Sequence, residues 1–73
     1  MAQLPSLSGK EVVKAFEKLG WEFSRQSGSH IVLTKYGEMA SMSVPNHKEV
    51  AKGTLRSLIR SANLTVDEFI KAI

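Results

Sequence analysis

The chain has 73 residues, no cysteine and a formal net charge of +3, with ten Lys and Arg residues against seven Asp and Glu residues. This length predicts one domain over residues 1–73 with a modest core, and the lack of cysteine excludes disulfides and thiolate metal sites. Because no apolar run approaches the about 20 residues that span a bilayer, and residues 1–8 lack the features of a signal peptide, we expect a cytoplasmic protein without a membrane partner.

The first predicted helix begins after Ser8. Ser8 and Glu11 have the spacing of a capping box, in which each side chain satisfies a free backbone N–H at the helix start. Gly20 stands where a left-handed residue would end the helix. Between these signals, apolar residues recur at the spacing of one helix face: Val12, Ala15, Phe16 and Leu19.

Three strands follow, over residues 21–26, 30–35 and 39–44, separated by turn signals at Ser27-Gly28 and Tyr36-Gly37. The second is rich in β-branched residues. Trp21 and Phe23 alternate with polar residues in the first strand, which predicts that both face the core. If they do, Gln26 pairs with His30 and leaves a three-residue loop. A two-residue loop would place both aromatic side chains on the same face as the histidine, so we favour the longer loop.

The second hairpin predicts where His30 lies. A two-residue turn at Tyr36-Gly37 pairs Lys35 with Glu38, and opposite charges in such a cross-strand pair support the register. Three further pairs follow from this register: Leu33 with Ala40, Ile31 with Met42, and His30 with Ser43. Since neighbouring residues of a strand point to opposite faces, His30 is expected on the open face of the sheet.

Two helices complete the chain. The first begins near Lys52 and ends at Asn63, and a second capping-box spacing, Thr65 with Glu68, starts a short terminal helix. The predicted fold is therefore α+β. Its order is α-β-β-β-α with a three-stranded antiparallel sheet, helices on one face and a short C-terminal helix.

Basic residues accumulate at the start of the second long helix. Lys48 precedes it, and Lys52, Arg56 and Arg60 repeat at four-residue spacing along one stripe, with only Glu49 opposing them. Free backbone N–H groups at a helix start, together with lysines, favour a phosphate. A solvated helix face explains the stripe equally well, so both interpretations remain open.

The two histidines suggest acid–base chemistry rather than a metal site. Cysteine and a His-x-x-x-His spacing are absent, and so are the P-loop and the Gly-x-Ser-x-Gly motif. RNA carries its own nucleophile, the 2′-hydroxyl, so its cleavage needs only proton transfer, which imidazole performs near neutral pH, and cations such as Arg25, Lys48 or Lys52. His30 is otherwise an ordinary strand residue hydrogen-bonded to Ser43 or the turn, and His47 an ordinary loop residue whose spacing does not show that it reaches His30.

The sequence resembles the HicA (YcfA-like) toxins, the ribonuclease half of a bacterial toxin–antitoxin pair. The Gly28-Ser29-His30 and Gly53-Thr54-Leu55 elements are the most specific parts of the likeness. The resemblance covers nearly the whole chain, in segments 4–15, 20–23, 25–30, 44–47, 52–60 and 64–69.

The resemblance implies a fold like that of double-stranded-RNA-binding domains and cleavage of mRNA without a metal or other cofactor. It also implies that His30 is catalytic and that a HicB-type antitoxin binds and masks it. The candidate RNA-binding residues are Arg25, Ser29, Lys48, Lys52 and Arg56. Two other functions compete with this one: a non-catalytic RNA-binding module that uses the basic stripe, and an interaction protein whose open sheet face binds a partner.

Overall fold

The computed structural model describes residues 3–73; Met1 and Ala2, which the predicted domain includes, lie outside the described residues. The elements are α1 (Gly9–Lys18), β1 (Glu22–Ser27), β2 (His30–Thr34), β3 (Met42–Pro45), α2 (Lys52–Ser61) and α3 (Val66–Lys71). The strands form one antiparallel sheet in the order β1-β2-β3. The predicted α-β-β-β-α order with a short terminal helix is confirmed.

Both predicted capping boxes are present. At the start of α1, the Ser8 N–H donates to Glu11 Oε1 at 2.9 Å and the Glu11 N–H donates to Ser8 Oγ at 3.2 Å. Thr65 and Glu68 make the same pair of bonds at the start of α3, at 2.9 and 3.1 Å. The backbone and side-chain hydrogen bonds of Ser8 lower the pKa of Glu11, and those of Thr65 lower the pKa of Glu68.

The predicted helix ends are also found, with a left-handed residue after each. Gly20 has φ 101°, and the N–H of Trp21 reaches back to the Phe16 carbonyl at 3.0 Å. Asn63 has φ 58° after α2, and the Leu64 N–H donates to the Ile59 carbonyl at 3.1 Å. These bonds use carbonyls of the last helical turn, which also accept from the N–H groups of the C-cap residues Leu19 and Ala62.

The core lies on one face of the sheet, between the strands and the helices. From β2 and β3 it receives Ile31, Leu33, Met42 and Val44, all buried. Aromatic rings fill the centre: Phe16 of α1 packs on Phe69 of α3 with 5.0 Å between ring centroids, and on Trp21, which precedes β1, at 6.5 Å. Each fully buried apolar side chain contributes about 1.5–3 kcal/mol, so this face stabilises the fold.

The predicted register between β2 and β3 is wrong by two residues. Leu33 pairs with Met42 and His30 with Pro45, instead of Ala40 and Ser43. The turn at Tyr36-Gly37 exists, since the Glu38 N–H donates to the Lys35 carbonyl at 3.0 Å.

The type of that turn explains the error. Gly37 has φ 88°, whereas Tyr36 is not among the described residues with positive φ. Positive φ at the second central position alone is typical of a type II turn, which splays the strands that flank it. Pairing therefore resumes only at Met42, and the predicted Lys35–Glu38 cross-strand pair does not start a ladder. A shift of two residues leaves each side chain on its predicted face.

The first hairpin is also shorter than predicted. Ser27 pairs with His30 across the two-residue turn Gly28-Ser29, and Gly28 has φ 59°, which suits the first position of a type II′ turn. Because the turn is one residue shorter than predicted, β1 holds one residue more, which forms a bulge between Phe23 and Arg25. Beyond the bulge, Phe23 pairs with Leu33.

Only one of the two aromatic residues near β1 joins the core. Trp21 is buried as predicted, although it precedes the strand, whereas Phe23 is 55 % exposed. β1 is an edge strand in which every residue is exposed, so Phe23 lies at the rim of the core face. Within residues 3–73, no helix has the length and apolar character needed to cross a membrane.

Candidate functional site

His30 is the first residue of β2, the central strand, and its side chain is exposed. Its neighbours across the sheet are Ser27 on β1 and Pro45 on β3. Because directly opposed residues share a face, these three lie in one row on the open face of the sheet. Within residues 3–73, no hydrogen bond to the imidazole of His30 is present. Ser43, which the sequence predicts opposite His30, lies opposite Val32 instead.

Arg25 lies on the same open face, one row further along the sheet. It pairs with Val32, which in turn pairs with Ser43, and this row alternates with the core-facing row of Ile31. Diagonal neighbours of this kind have Cα atoms about 7–8 Å apart, within reach of a long side chain. The fold thus brings Arg25 beside His30, and Arg25 is exposed.

Ser29 occupies the β1–β2 turn next to His30 and is exposed. Its carbonyl accepts a hydrogen bond from the Asn46 N–H at 2.6 Å. This bond joins the turn to the segment that leaves β3. Asn46 was not among the predicted site residues, because only the folded chain brings it to the turn.

Gly9 holds the same segment from the other side. The Gly9 N–H donates to the His47 carbonyl at 2.9 Å. A Cβ atom at Gly9 would lie 2.7 Å from the Asn46 Cα and would also collide with the Pro45 carbonyl oxygen. A glycine is therefore required for the start of α1 to approach the end of β3.

A third backbone bond completes the arrangement: the Val50 N–H donates to the Leu7 carbonyl at 2.8 Å. The start of α1, the β1–β2 turn and the segment before α2 thus meet at one end of the sheet. We call this end, formed by residues 7–9, 28–30 and 45–50, the tied end. The exposed side chains of His30, His47 and Lys48 all belong to it.

The other two predicted RNA-binding residues lie in the helix layer. Lys52 is the first residue of α2 and Arg56 follows one turn later, and both are exposed. α2 turns Leu55 and Ile59 into the core, so the helix that carries Arg56 packs on the face of the sheet opposite to that of His30. A cavity of about 440 Å³ between α2 and α3 is lined by Arg56, Ile59, Arg60, Asn63, Leu64 and Val66.

The start of α2 differs from the starts of α1 and α3. Ala51 at its N-cap offers no side-chain hydrogen bond, and its first turn contains no acidic residue. Backbone N–H groups there have no capping side chain, and Lys52 adds positive charge beside them.

Within residues 3–73, no cluster of three or more His, Cys, Asp or Glu side chains is placed to hold a metal ion.

The sequence matches the family model described as the HicA toxin of bacterial toxin–antitoxin systems over residues 9–64. The chain belongs to the HicA toxin family. The match covers most of the chain, from the glycine at the start of α1 to the residue after the left-handed Asn63. A search of curated proteins gave no match.

Family membership makes the protein a toxin with an antitoxin partner. The matched residues include the whole sheet, both helices that pack on it and every part of the tied end except Leu7 and Ser8. They stop before α3, so one side of the cavity between α2 and α3 lies outside the match.

Proposed function

We propose that the protein acts as a single cytoplasmic domain that cleaves mRNA without a metal ion, with His30 as a proton-transfer group, and that a HicB-type antitoxin inhibits it. The observation that carries this proposal is the position of His30: exposed, on the open face, at the tied end and beside Arg25. An imidazole with no hydrogen-bond partner in the described structure is free to contact a substrate.

The chemistry requires little besides this imidazole and nearby cations. The 2′-hydroxyl of RNA attacks the adjacent phosphorus, and an imidazole accepts its proton or donates one to the departing 5′-oxygen. A positioned acid or base of this kind supplies about 10²–10⁴-fold. Arg25 and Lys48 stabilise the charge that develops on the phosphoryl oxygens, because both extend from the end of the sheet that carries His30.

Lys52 and Arg56 have a different part in this proposal. They bind phosphates of the same RNA strand at a distance from the cleaved bond, where the uncapped start of α2 adds its free N–H groups. Such contacts increase affinity without reading sequence. The Ser29 hydroxyl contacts the sugar–phosphate backbone at the turn.

Cleavage by the purified protein tests the proposal. The protein is incubated with an mRNA in EDTA, and new 5′ ends are mapped. We expect His30→Ala to lose cleavage by at least about 10²-fold while its circular dichroism spectrum stays unchanged. The matched control is Thr34→Ala, which alters an exposed residue on the same face of the same strand and should leave cleavage intact.

Cleavage by His30→Ala at the wild-type rate would contradict the role of His30 in proton transfer. A second candidate function is a non-catalytic RNA-binding module that uses the exposed stripe Lys52, Arg56 and Arg60. In that case the wild type would bind RNA with an affinity that falls steeply with salt and would leave the RNA uncut.

A further inference from the structure

His47, the second histidine of the chain, lies two residues after Pro45, the residue that pairs with His30. Cross-strand partners have Cα atoms about 4.5–5.5 Å apart, and consecutive Cα atoms are about 3.8 Å apart. The Cα atoms of the two histidines are therefore within about 13 Å of each other. The sequence alone did not show this proximity.

The backbone at His47 is held from two sides. Asn46, the residue before it, donates to the Ser29 carbonyl at 2.6 Å, and the His47 carbonyl accepts from the Gly9 N–H at 2.9 Å. Ser29 is the direct neighbour of His30, so the first bond links the two histidine-bearing segments. The backbone is fixed while the His47 side chain remains exposed.

The reaction under Proposed function needs two proton transfers. One proton leaves the 2′-oxygen as the O–P bond forms, and one reaches the 5′-oxygen as the P–O bond breaks. The products are a 2′,3′-cyclic phosphate and a 5′-hydroxyl, so atoms and charge balance without another reactant. In an in-line displacement the two oxygens lie on opposite sides of phosphorus, and two imidazoles serve them better than one.

We propose that His47 is this second proton-transfer group, acting with His30 across the cleaved phosphate. The inference rests on the proposed ribonuclease function. It also gives Gly9 a part in the site, because only a residue without Cβ lets α1 approach closely enough to hold the His47 carbonyl.

The test compares variants of the whole 73-residue chain on two RNA substrates. His47→Ala should lower the cleavage rate by about 10²–10⁴-fold, with RNA affinity and the melting curve retained. His47→Gln keeps a hydrogen-bonding side chain but does not carry the proton, and should lose the same activity. The control Glu38→Ala changes an exposed acidic residue in the connection between β2 and β3, at the opposite end of the sheet, and should cleave as the wild type does.

The second substrate carries sulfur in place of the 5′-bridging oxygen, so that its leaving group needs no proton. We expect this substrate to restore cleavage in one of the two variants, His30→Ala or His47→Ala, and not in the other. The restored variant is the one that lacks the acid, and the other lacks the base. Restoration of both variants, or of neither, would overturn the pairing.

The inference and the proposed function fail in different ways. If His47→Ala cleaves at the wild-type rate while His30→Ala is inactive, only the role of His47 is overturned. Wild-type cleavage by His30→Ala, or an uncut RNA with the wild-type protein, would overturn the ribonuclease proposal and the role of His47 with it.

Discussion

The two ends of the sheet are built differently. At the tied end, three backbone hydrogen bonds join segments that are distant in sequence: Asn46 to Ser29, Gly9 to His47, and Val50 to Leu7. We call the opposite end the loop end. In its connection from β2 to β3, the Glu38 N–H donates to the Lys35 carbonyl, and Tyr36 and Met39 are fully exposed.

The loop end is held by an aromatic side chain instead. Trp21, between α1 and β1, is buried against Phe16 with ring centroids 6.5 Å apart. Apolar burial stabilises a fold without demanding a particular direction, whereas backbone hydrogen bonds fix positions. The segments that carry His30, His47 and Lys48 are therefore fixed by backbone hydrogen bonds, as the proton transfer that we propose for His30 and His47 would require.

The largest expected effect is at the loop end. Trp21→Ala removes a buried aromatic ring and should lower the free energy of unfolding by about 3–5 kcal/mol. The Trp21 indole N–H is buried without a hydrogen-bond partner in the described structure, so Trp21→Phe removes a desolvated donor and should cost less than about 1.5 kcal/mol. Urea denaturation measures both. A loss well above about 1.5 kcal/mol in Trp21→Phe would contradict an N–H without a partner.

A pair of glycines tests the tied end. Gly9→Ala places a Cβ against the backbone of Pro45 and Asn46 and should lower stability by about 1–3 kcal/mol. Gly53→Ala, also in the first turn of a helix, meets nothing within 4 Å and should raise stability by about 0.4–1 kcal/mol. Thermal melts followed by circular dichroism compare them, and effects of equal sign would contradict the close approach.

The capping boxes predict how stability responds to acid. The backbone and side-chain hydrogen bonds of Ser8 lower the pKa of Glu11 in the folded state, and those of Thr65 do the same for Glu68. Their stabilisation is therefore complete above the ordinary value of 4.5 and is lost as the pH falls through the lowered pKa. In thermal melts between pH 6 and pH 3, the stability of the double variant Glu11→Gln, Glu68→Gln should depend less on pH than that of the wild type. An unchanged dependence would mean that the caps do not contribute.

The smallest expected effect is in the β2–β3 connection. Tyr36→Ser and Met39→Ser alter fully exposed side chains and should change stability by less than about 0.5 kcal/mol. Cleavage of RNA should also be unchanged, because these residues lie at the end of the sheet opposite His30. A loss of cleavage in either variant would show that RNA reaches the loop end.

Sequence patterns predicted the features that depend on neighbouring residues. The capping boxes at Ser8 and Thr65 and the helix ends at Gly20 and Asn63 each arise from contacts within about one helical turn. The face of the sheet on which His30 lies was also predicted, because a shift of two residues preserves the alternation of side chains.

Features that depend on the folded chain were missed. The pairing of His30 with Pro45 follows from a turn whose type depends on φ at Tyr36 and Gly37, and the bulge before Arg25 replaces a loop residue. The exposure of Phe23 follows from its place on an edge strand. The role of Gly9 had one local signal, a poor helix former in the first turn of a helix, but its contact with β3 is tertiary.

We expect RNA to be bound and cleaved at the tied end, and amide chemical shifts test this most directly. The ¹⁵N-labelled protein is titrated with an RNA that carries 2′-O-methyl groups and therefore lacks the nucleophile. We expect the amide signals of residues 28–30 and 46–48 to shift and those of residues 36–41 to stay in place. Shifts confined to the loop end, or to α2 and α3 without the tied end, would contradict it.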